Sequence, residues 1–597
     1  MNEPAQLAAA GVVEVLGTTP TGTQAERELK RRRLGVLAVT GVTYLALAAA
    51  MARVAGAGGW TAIDLILCVC FLVAAPWTVL GFWNAGLGIW LLHGRKDGLA
   101  QAAPFAAAAA SRDPIRVRTA VLMTLRNEDC ARAFRRLETV KASIEATGEG
   151  RHFAYFVLSD TSDPDVAAAE EAAVAAWRAE AHDPERIVYR RRAHNTGFKA
   201  GNLRDFCRTH GRAFELMLPL DADSLMAGET IVRMVRVMQA HPRLGILQSL
   251  VVGAPSQSAF ARIFQFGMRH GMRPYTVGHA WWTGDCGPFW GHNALVRIAP
   301  FVEHCDLPML PGKPPLGGHI LSHDQVEAVL MRRAGYEVRV WPKEGGSWEE
   351  NPPTLFAFSA RDLRWCQGNM QYWRLVGMPG LEPMSRFQLA WAILMFLGVP
   401  ATTLMIALAP LKAFDSDVAV FPATLAAALY LTFLGMYLSP KLAGLADVLL
   451  SKGGVARYGG VGRFLLGAGI EAGFSFLLGA VTTFRLTLFM AGLPFGRAVA
   501  WNGQARDAHG IGWRLAIREL WPPVLFGSGV AAALAFVSPA TLWWSLPLTL
   551  GYLVAAPFAV LTASPALGAF MARHKLCAIP EEIDVPPEIE ALQREAA

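Results

Sequence analysis

The sequence predicts a soluble α/β domain inserted between two groups of transmembrane helices, and three observations support that fold class. The chain of 597 residues is 53% hydrophobic, and its mean hydropathy of +0.30 is high for a soluble protein. The apolar excess is concentrated in residues 34–93 and 387–562, whereas residues 111–385 have the mixed, charged composition of a soluble domain. Within that domain short β-branched runs alternate with helical ones, which is typical of a mostly parallel sheet.

The apolar segments are long enough to cross a membrane, because about 18 consecutive apolar residues suffice for a helical span. We expect two spans in residues 34–93, preceded by a cytoplasmic tail at 1–33. Further spans are expected in residues 386–565, followed by a cytoplasmic tail at 566–597. The first span begins too far along the chain to be a cleaved signal peptide.

Segment 463–491 is ambiguous, because it contains Glu471 and Arg485, each of which is costly in the middle of a membrane. A re-entrant hairpin or an interfacial helix accommodates these charges, and the basic loop 492–520 then stays in the cytoplasm. This arrangement predicts an even number of spans.

Basic residues predict the orientation of the soluble domain. The stretch "ERELKRRR" (26–33) precedes the first span and "HGRKDG" (93–98) follows the second. Basic flanks stay on the cytoplasmic side, so residues 111–385 are expected there.

The eight cysteines are scattered and form no CxxC pair, which favours a reducing compartment and argues against a zinc site. No basic stripe with interleaved aromatic residues is present, so we expect no nucleic-acid partner.

Polar side chains follow several of the predicted strands. Asn127 follows "RVRTAVLMTL", Asp160 follows "FAYFVLS", and Asp221 and Asp223 close "FELMLPLDAD". Ligands of parallel sheets bind beyond the carboxyl ends of the strands, so these side chains are expected at one edge. A lone Asp in such a place is most often a helix cap or a turn residue, and Asp163 and Asp165 compete with Asp160.

The pair Asp221 and Asp223 is more informative than a lone Asp. Side chains two apart on an extended segment point to the same face, where two like charges repel unless a cation offsets them. Mg²⁺ or Mn²⁺ fits, because such hard cations are held by one or two carboxylates together with substrate phosphates. From the residues alone, a metal site and two turn residues both remain open.

Four blocks occur in a fixed order in the soluble domain: "NTGFKAGNL", "LPLDADS", "SHDQVE" and "RDLRW". With these blocks the chain resembles the processive, inverting glycosyltransferases of family 2 with the GT-A fold, such as cellulose and hyaluronan synthases. The blocks "GHNALVRI", "GGHILSHDQVEAVLMRRAGYEVR" and "GSWEENPPTL" are most similar to the glucans biosynthesis glucosyltransferase H family of osmoregulated periplasmic glucan synthesis. The resemblance covers roughly residues 30–565 and implies a GT-A domain at 111–385.

The resemblance implies that a sugar passes from a nucleotide diphosphate to the terminal hydroxyl of a growing chain. Asp221 and Asp223 would then hold the Mg²⁺ or Mn²⁺ ion, which offsets the charge on the leaving diphosphate. Lys199 would neutralise the diphosphate as a point charge, although a lone lysine is more often solvated. The residues implied to bind the nucleotide sugar are Asn127, Asp160, Lys199, Asp221 and Arg364.

By the same resemblance, Asp324 in "LSHD" is the general base that removes the proton of the acceptor hydroxyl. Asp324 followed by Glu327 also fits a helix N-cap box, and the two roles are compatible. The neighbouring His319 and His323 are expected to be ordinary residues of the pocket wall.

The acceptor is expected to lie near "RDLRW", which corresponds to the Q-x-x-R-W motif of processive enzymes. Trp365 would stack on the acceptor sugar, with Arg361, Trp290 and His292 shaping the rest of that site. Arg361 stands where the motif has Gln, a departure that questions any transfer of cellulose-type acceptor geometry. A lone Arg-Trp pair would otherwise indicate a helix start packed on a core.

The function implied is a UDP-glucose-dependent synthase of a β-1,2-linked glucan that exports its product across the bacterial inner membrane. Members of the family are also linked to acyl carrier protein and to a periplasmic glucan-processing protein, and membrane lipid is expected as a further partner. By analogy, loop 498–507 would gate the active site. A non-processive transferase that loads a lipid carrier is the alternative, which R-x-x-R-W disfavours. A transporter would need intramembrane charges, and the clear spans carry almost none. A metal-dependent hydrolase would need His and Asp clusters that the sequence lacks.

Overall fold

The computed structural model describes residues 20–415, 420–499 and 507–594. Most of the predicted gating loop, the first 19 residues of the N-terminal tail and the last three of the C-terminal tail lie outside the described residues. The α-helices are α1 (Pro20–Ala55), α2 (Ala62–His93), α3 (Gly98–Ala102), α4 (Cys130–Ala146), α5 (Pro164–Glu180), α6 (Phe198–Thr209), α7 (Gly228–Ala240), α8 (Ala259–Thr283), α9 (Ile298–His304), α10 (His323–Arg333), α11 (Leu355–Met370), α12 (Pro383–Asp415), α13 (Ala423–Leu450), α14 (Val461–Gly492), α15 (Trp513–Val537), α16 (Pro539–Leu553), α17 (Ala555–Thr562), α18 (Pro565–Arg573), α19 (Pro580–Ile583) and α20 (Pro587–Arg594).

The strands form two sheets in the soluble domain. The larger has the order β3-β2-β1-β4-β8-β6-β9 and the smaller the order β5-β10-β7. The strands are β1 (Thr119–Leu125), β2 (Phe153–Ser159), β3 (Ile187–Arg191), β4 (Leu216–Asp221), β5 (Leu225–Met226), β6 (Leu244–Ser249), β7 (Val252–Gly253), β8 (Ala294–Arg297), β9 (Glu337–Trp341) and β10 (Ser347–Glu349).

The mostly parallel sheet predicted from the alternating pattern is confirmed. Strands β3, β2, β1 and β4 are parallel to one another, as are β6 and β9, while β8 is antiparallel to both of its neighbours. Residues of β1, β2 and β4 are almost all buried, because helices cover both faces of the sheet. The carboxyl ends of these three strands therefore meet at one edge of the domain.

Long apolar helices flank this domain on both sides in the chain. Six of the described helices are long and apolar enough to cross a membrane, or seven if the pair α16 and α17, bent by 58°, counts as one span. The chain is thus a multi-pass membrane protein, and the predicted even number of spans stays a prediction.

Segment 463–491 forms part of one uninterrupted helix, α14, so a re-entrant hairpin does not occur there. The charges that suggested a hairpin have partners. Glu471 accepts hydrogen bonds from Lys441 of α13 and from Ser475, and Arg485 donates to the carbonyl of Glu519 at 3.4 Å. Because the sequence argument counted each charge as unpaired, it overestimated the cost of burying them.

Helix α8 joins the soluble domain to the membrane helices. It packs against α2 at two glycines that have no room for a side chain: a Cβ on Gly88 would lie 1.8 Å from the Pro274 carbonyl oxygen, and one on Gly278 would lie 1.9 Å from that of Asn84. Asp447 of α13 binds Arg273 of α8 at 3.1 Å. This close packing fixes α8 against the bundle.

The C-terminal segment returns to the soluble domain. Glu582 pairs with Arg262 of α8 at 2.7 Å, and Glu581 with the buried Arg269 at 3.2 Å. Further on, Glu588 accepts a hydrogen bond from Ser143 of α4, and Ile589 joins the core beneath the sheet. The residues predicted to be a tail therefore bridge α8 and the soluble domain.

Candidate active site

A cavity of about 560 Å³ opens at the carboxyl ends of β1, β2 and β4, in the size range of small-ligand sites, roughly 300–1,000 Å³. Every residue predicted for the site except Asn127 lines it. These residues are Asp160, Lys199, Asp221, Asp223, Trp290, His292, Asp324, Arg361, Arg364 and Trp365. Residues from distant parts of the chain, from β2 to α11, therefore converge on one space.

Asn127 supports the rim of the cavity without lining it. Its side-chain oxygen accepts from the backbone N–H groups of Ser162 and Asp163, at 3.0 and 3.1 Å, and its own N–H donates to Thr161. Asn127 has a φ of 53°, a conformation that Asn tolerates better than most residues. The loop after β1 is thereby fastened to the loop after β2.

Asp160 is held by Arg192 in a bidentate ion pair, with N–O distances of 2.7 and 2.9 Å. Arg192 also reaches Asp205 of α6 at 2.9 Å. Asp163 was an alternative to Asp160 as the nucleotide-binding residue. Its side chain instead caps α5 by accepting hydrogen bonds from the backbone N–H groups of Asp165 and Val166. The carboxylate of Asp160 is thus fixed in direction at the cavity wall.

The acidic pair does not sit on an extended segment, contrary to the sequence argument. Strand β4 ends at Asp221, and the chain then turns, with Ser224 N–H donating to the Asp221 carbonyl at 3.0 Å and Ser224 Oγ accepting from Asp221 N–H at 3.0 Å. Both carboxylates still line the cavity. Lys199, at the start of α6, donates to the Asp221 carboxylate.

The residues present suit a hard divalent cation. Asp223 lies on the turn beside Asp221, whose carboxylate already binds Lys199. In the part of the chain that the structure describes, no group of three or more His, Cys, Asp or Glu side chains is placed to hold a metal alone. Ligands from a bound diphosphate would therefore complete the coordination, as is usual for Mg²⁺.

Asp324 is not the N-cap of its helix, so the predicted cap box is wrong. Helix α10 begins at His323 with Ser322 as its N-cap, and Asp324 lies in the first turn. The carboxylate of Glu327 is instead bound by His323 Nδ1 at 3.0 Å. Burial disfavours the charged imidazole, but Glu327 and Asp324 outweigh it and raise the pKa of His323.

The end of α11 and the 3₁₀ turn that follows it, Gln371–Arg374, support the first turn of α10. The hydroxyl of Tyr372 donates to the Ser322 carbonyl at 2.8 Å, and Gln371 accepts from the N–H of Leu321 at 2.9 Å. Gly368 packs so closely on Ser322 that a Cβ there would lie 2.1 Å from its hydroxyl oxygen. The position of Asp324 is thus set by residues that follow the "RDLRW" block.

Trp365 and the two arginines of "RDLRW" lie on consecutive turns of α11. Arg361 and Arg364 are buried, whereas Trp365 is 48% exposed although it lines the cavity. The guanidinium of Arg361 lies 4.7 Å from the centre of the Trp365 ring and holds that ring by a cation–π contact. An exposed, fixed indole is a platform on which a sugar ring can stack.

Glu349 is a cavity residue that the sequence analysis missed. It ends β10, and its Oε2 lies 3.4 Å from Nε2 of His292. Burial raises the pKa of Glu349, against the lowering effect of His292 and Arg361, and the charges of Asp223 and Asp221 raise it further. The signal was present in "GSWEENPP", where two acidic residues stand next to a buried aromatic strand.

Other lining residues were also missed. Arg126 and Glu128 stand in the loop after β1, and Phe198 precedes Lys199 and packs edge-on against His319. Met268 and Met272 are four residues apart on α8 and form part of the apolar wall. Their spacing marks one face of a helix, but nothing in the sequence says that this face lines the cavity.

A fold of this kind, with acidic residues at the ends of parallel strands and membrane helices on both sides, defines a membrane-bound glycosyltransferase with a GT-A-like domain. Two family models match the chain. Residues 121–304 match "Glycosyl transferase family 2" and residues 216–438 match "Glycosyl transferase family group 2".

Similar curated proteins identify the family of glycosyltransferases to which the chain belongs. The chain is 37% identical to glucans biosynthesis glucosyltransferase H of Caulobacter vibrioides, over 89% of this chain and 82% of that one. It is 36% identical to the protein of that name from Ralstonia nicotianae, over 94% and 67%, and to that of Pseudomonas paraeruginosa, over 87% and 62%. The chain belongs to the glucans biosynthesis glucosyltransferase H family, and it is a hexosyltransferase.

Among solved structures, a mannosyltransferase from Pyrobaculum calidifontis in complex with GDP-Man and Mn²⁺ aligns at 16% identity. The alignment covers 62% of this chain and 99% of that one, with a TM-score of 0.37, too low to support any argument. The family itself implies a nucleotide-sugar donor and a growing glycan as acceptor.

Proposed function

We propose that this protein is a processive, inverting glucosyltransferase that polymerises a β-1,2-linked glucan from UDP-glucose and moves it to the periplasm. One observation carries the proposal. A single cavity has a lysine and an acidic pair on one wall, suited to a nucleotide diphosphate, and the exposed indole of Trp365 on another, suited to a sugar chain. Donor and acceptor would thus meet within one cavity of about 560 Å³.

In this proposal Asp324 accepts the proton of the acceptor hydroxyl as that oxygen attacks the anomeric carbon of glucose. UDP departs from the opposite face of that carbon as its bond to the diphosphate oxygen breaks, so the configuration of the carbon is inverted. Lys199 and Arg364 bind the diphosphate, and Asp160 binds the nucleoside with its carboxylate aimed by Arg192. Ser322, fixed by Tyr372, holds Asp324 towards the cavity.

The donor set supports a divalent ion, Mg²⁺ or Mn²⁺, held by Asp223 and Asp221. When bound, the ion stabilises negative charge on the departing diphosphate without a proton transfer. Lys199, which donates to the Asp221 carboxylate, supplies a second positive charge beside the diphosphate.

Processivity is supported by the acceptor wall. Arg361 holds Trp365 in place, and Trp290 and His292 also line the cavity. A fixed aromatic platform favours retention of the last sugar added, so the chain advances by one unit for each transfer.

The membrane topology is part of the proposal. Spans in residues 34–93 and 386–565 would place the domain at 111–385 in the cytoplasm of the bacterial inner membrane, as the basic flanks indicate. Acyl carrier protein and a periplasmic glucan-processing protein are proposed as partners from family membership alone.

The test uses the full-length protein in detergent with radiolabelled UDP-glucose and Mg²⁺, with and without chelator. We expect a metal-dependent polymer that a β-1,2-glucanase digests and other glucanases leave intact. Asp223→Ala and Asp324→Asn should abolish polymer while retaining the elution profile of the folded protein. A single glucose on a lipid would favour the lipid-carrier alternative, and full activity of the folded Asp223→Ala variant would refute the metal site.

A further inference from the structure

A second cavity, of about 470 Å³, lies outside the active site. It is bordered by α3 and the 3₁₀ turn Pro104–Ala110 on one side and by α7 and the end of β9 on the other. Its lining is almost entirely apolar, with two cationic exceptions. The lining includes Leu99, Ala106, Ala109, Arg233, Trp341 and Lys343.

The two cations share this cavity. Lys343 is exposed and lies 5.4 Å from the centre of the Trp341 ring. Desolvation lowers the pKa of Lys343, and the charge of Arg233 lowers it further. Arg233 pairs with Glu229 at 2.7 Å on the surface of α7. A guanidinium has five N–H donors, so that pairing leaves donors for a further anion. An apolar cavity with two cations suits an amphipathic anion.

The cavity also lies close to the end of a candidate membrane span. Helix α3 begins at Gly98, shortly after the end of the candidate span α2 at His93. Trp90 is 42% exposed near that end and is capped by Arg95 at 5.2 Å, an arrangement typical of the headgroup layer. From the basic start of α1, Arg32 donates to the Gln101 carbonyl of α3 at 3.2 Å.

We propose that this cavity binds an anionic phospholipid of the membrane, with one acyl chain among the alanines and the phosphate between Arg233 and Lys343. Charge complementarity favours this occupant, because juxtamembrane clusters of Lys and Arg attract anionic lipids. Lys343 also adjoins Glu344, which pairs with Arg269 of α8 at 2.6 Å. A bound lipid would therefore fasten the edge of the sheet to the membrane surface beside α8.

The test is photolabelling of the full-length protein in nanodiscs that contain a photoreactive diacyl phosphatidylglycerol or, in parallel, its phosphatidylcholine counterpart. After digestion, mass spectrometry maps the labelled peptides. We expect the phosphatidylglycerol probe to label peptides from 98–110 or 341–343, and unlabelled phosphatidylglycerol to compete.

Two kinds of variant separate charge from space. Arg233→Gln and Lys343→Gln should each lower labelling by about fivefold, the contribution of one basic residue near an anionic surface. Ala106→Leu should lower it by filling the cavity with both charges intact. Lys96→Gln, which removes an exposed cation outside the cavity, should leave labelling unchanged.

The proposal is overturned if the phosphatidylcholine probe labels these peptides equally, since the site would then hold ordinary boundary lipid. It is also overturned if no label maps to the cavity, or if a free long-chain fatty acid displaces the probe and phosphatidylglycerol does not. Labelling that persists in a folded Arg233→Gln, Lys343→Gln double variant has the same consequence.

Discussion

Glu349 Oε2 lies 3.4 Å from His292 Nε2 on the wall of the active-site cavity, within the influence of Asp223 and Asp221. A half-buried carboxylate near two others is costly when ionised, because desolvation and like charges both disfavour its charge. The carboxylate stands in the cavity although a neutral residue there is expected to stabilise the fold. Such a cost indicates a role in binding or catalysis.

Glu349→Gln should therefore raise the stability of the protein and lower its turnover. The raised pKa means that the folded state binds the Glu349 proton more tightly than the unfolded state does, so ionised Glu349 costs stability above its ordinary pKa. The variant should melt higher than the wild type, with a difference that grows as the pH rises from about 4.5 through the raised pKa. Turnover should fall on the order of 10- to 100-fold.

Glu350→Gln is the matched comparison for that variant. Glu350 accepts from Arg132 at 2.5 Å and from Arg136, so its loss should lower the melting temperature. Thermal scans in detergent over a pH series, together with initial rates, measure both variants. A Glu349→Gln protein that melts lower than the wild type at neutral pH would contradict the assignment.

Gly291→Ala tests the space between Asp324, the proposed general base, and Lys199, which is proposed to bind the diphosphate. Gly291 has a φ of 78°, and a Cβ there would lie 3.4 Å from Asp324 Cβ and 3.8 Å from Lys199 Nζ. The backbone strain should cost roughly 1–2 kcal/mol, and the methyl group should lower kcat by intruding on the reacting groups.

Gly335→Ala separates these two effects. Gly335 has a similar φ of 84°, and a Cβ there would meet nothing within 4 Å. It should lose comparable stability with unchanged kcat. Equal kcat values for the two variants would place the reaction away from Gly291.

The order of the functional residues could be predicted from the sequence, because they stand in recognisable blocks and because Asp160 and Asp221 come at the ends of predicted strands. The local backbone conformation around these residues could not be predicted from the sequence. The turn at Asp223 depends on Ser224, and the helix start at Ser322 depends on Tyr372 of the following element. Glu349 reaches the cavity only because β10 pairs with β5 and β7, two-residue strands with no pattern of their own.

Arg192→Lys tests whether Asp160 must be aimed. The bidentate pair uses two guanidinium nitrogens, and a lysine offers one compact charge in their place. Losing one charge-assisted hydrogen bond should raise the KM for the nucleotide sugar by about tenfold with a smaller change in kcat. Arg191→Lys is the control, because Arg191 is 41% exposed and lies 4.0 Å from Glu171. Equal KM values for both variants would show that Asp160 does not act through Arg192.

Lys441→Met tests the ion pair between Lys441 of α13 and Glu471 in segment 463–491, where a re-entrant hairpin or an interfacial helix was expected. Glu471 is almost fully buried, with a side-chain exposure of 5%, whereas that of Lys441 is 28%. Removing the lysine leaves an uncompensated carboxylate inside the bundle, which should cost about 3 kcal/mol, near the lower end for buried pairs because Lys441 is partly exposed.

The double variant Lys441→Met, Glu471→Leu should recover most of that loss, since replacing a buried ion pair by apolar residues is often neutral or stabilising. Apparent melting temperatures of the single and double variants in detergent measure the coupling. If the double variant melts as low as the single one, the pair does more than cancel its own burial cost. The ion pair would then contribute net stability to the packing of α13 against α14.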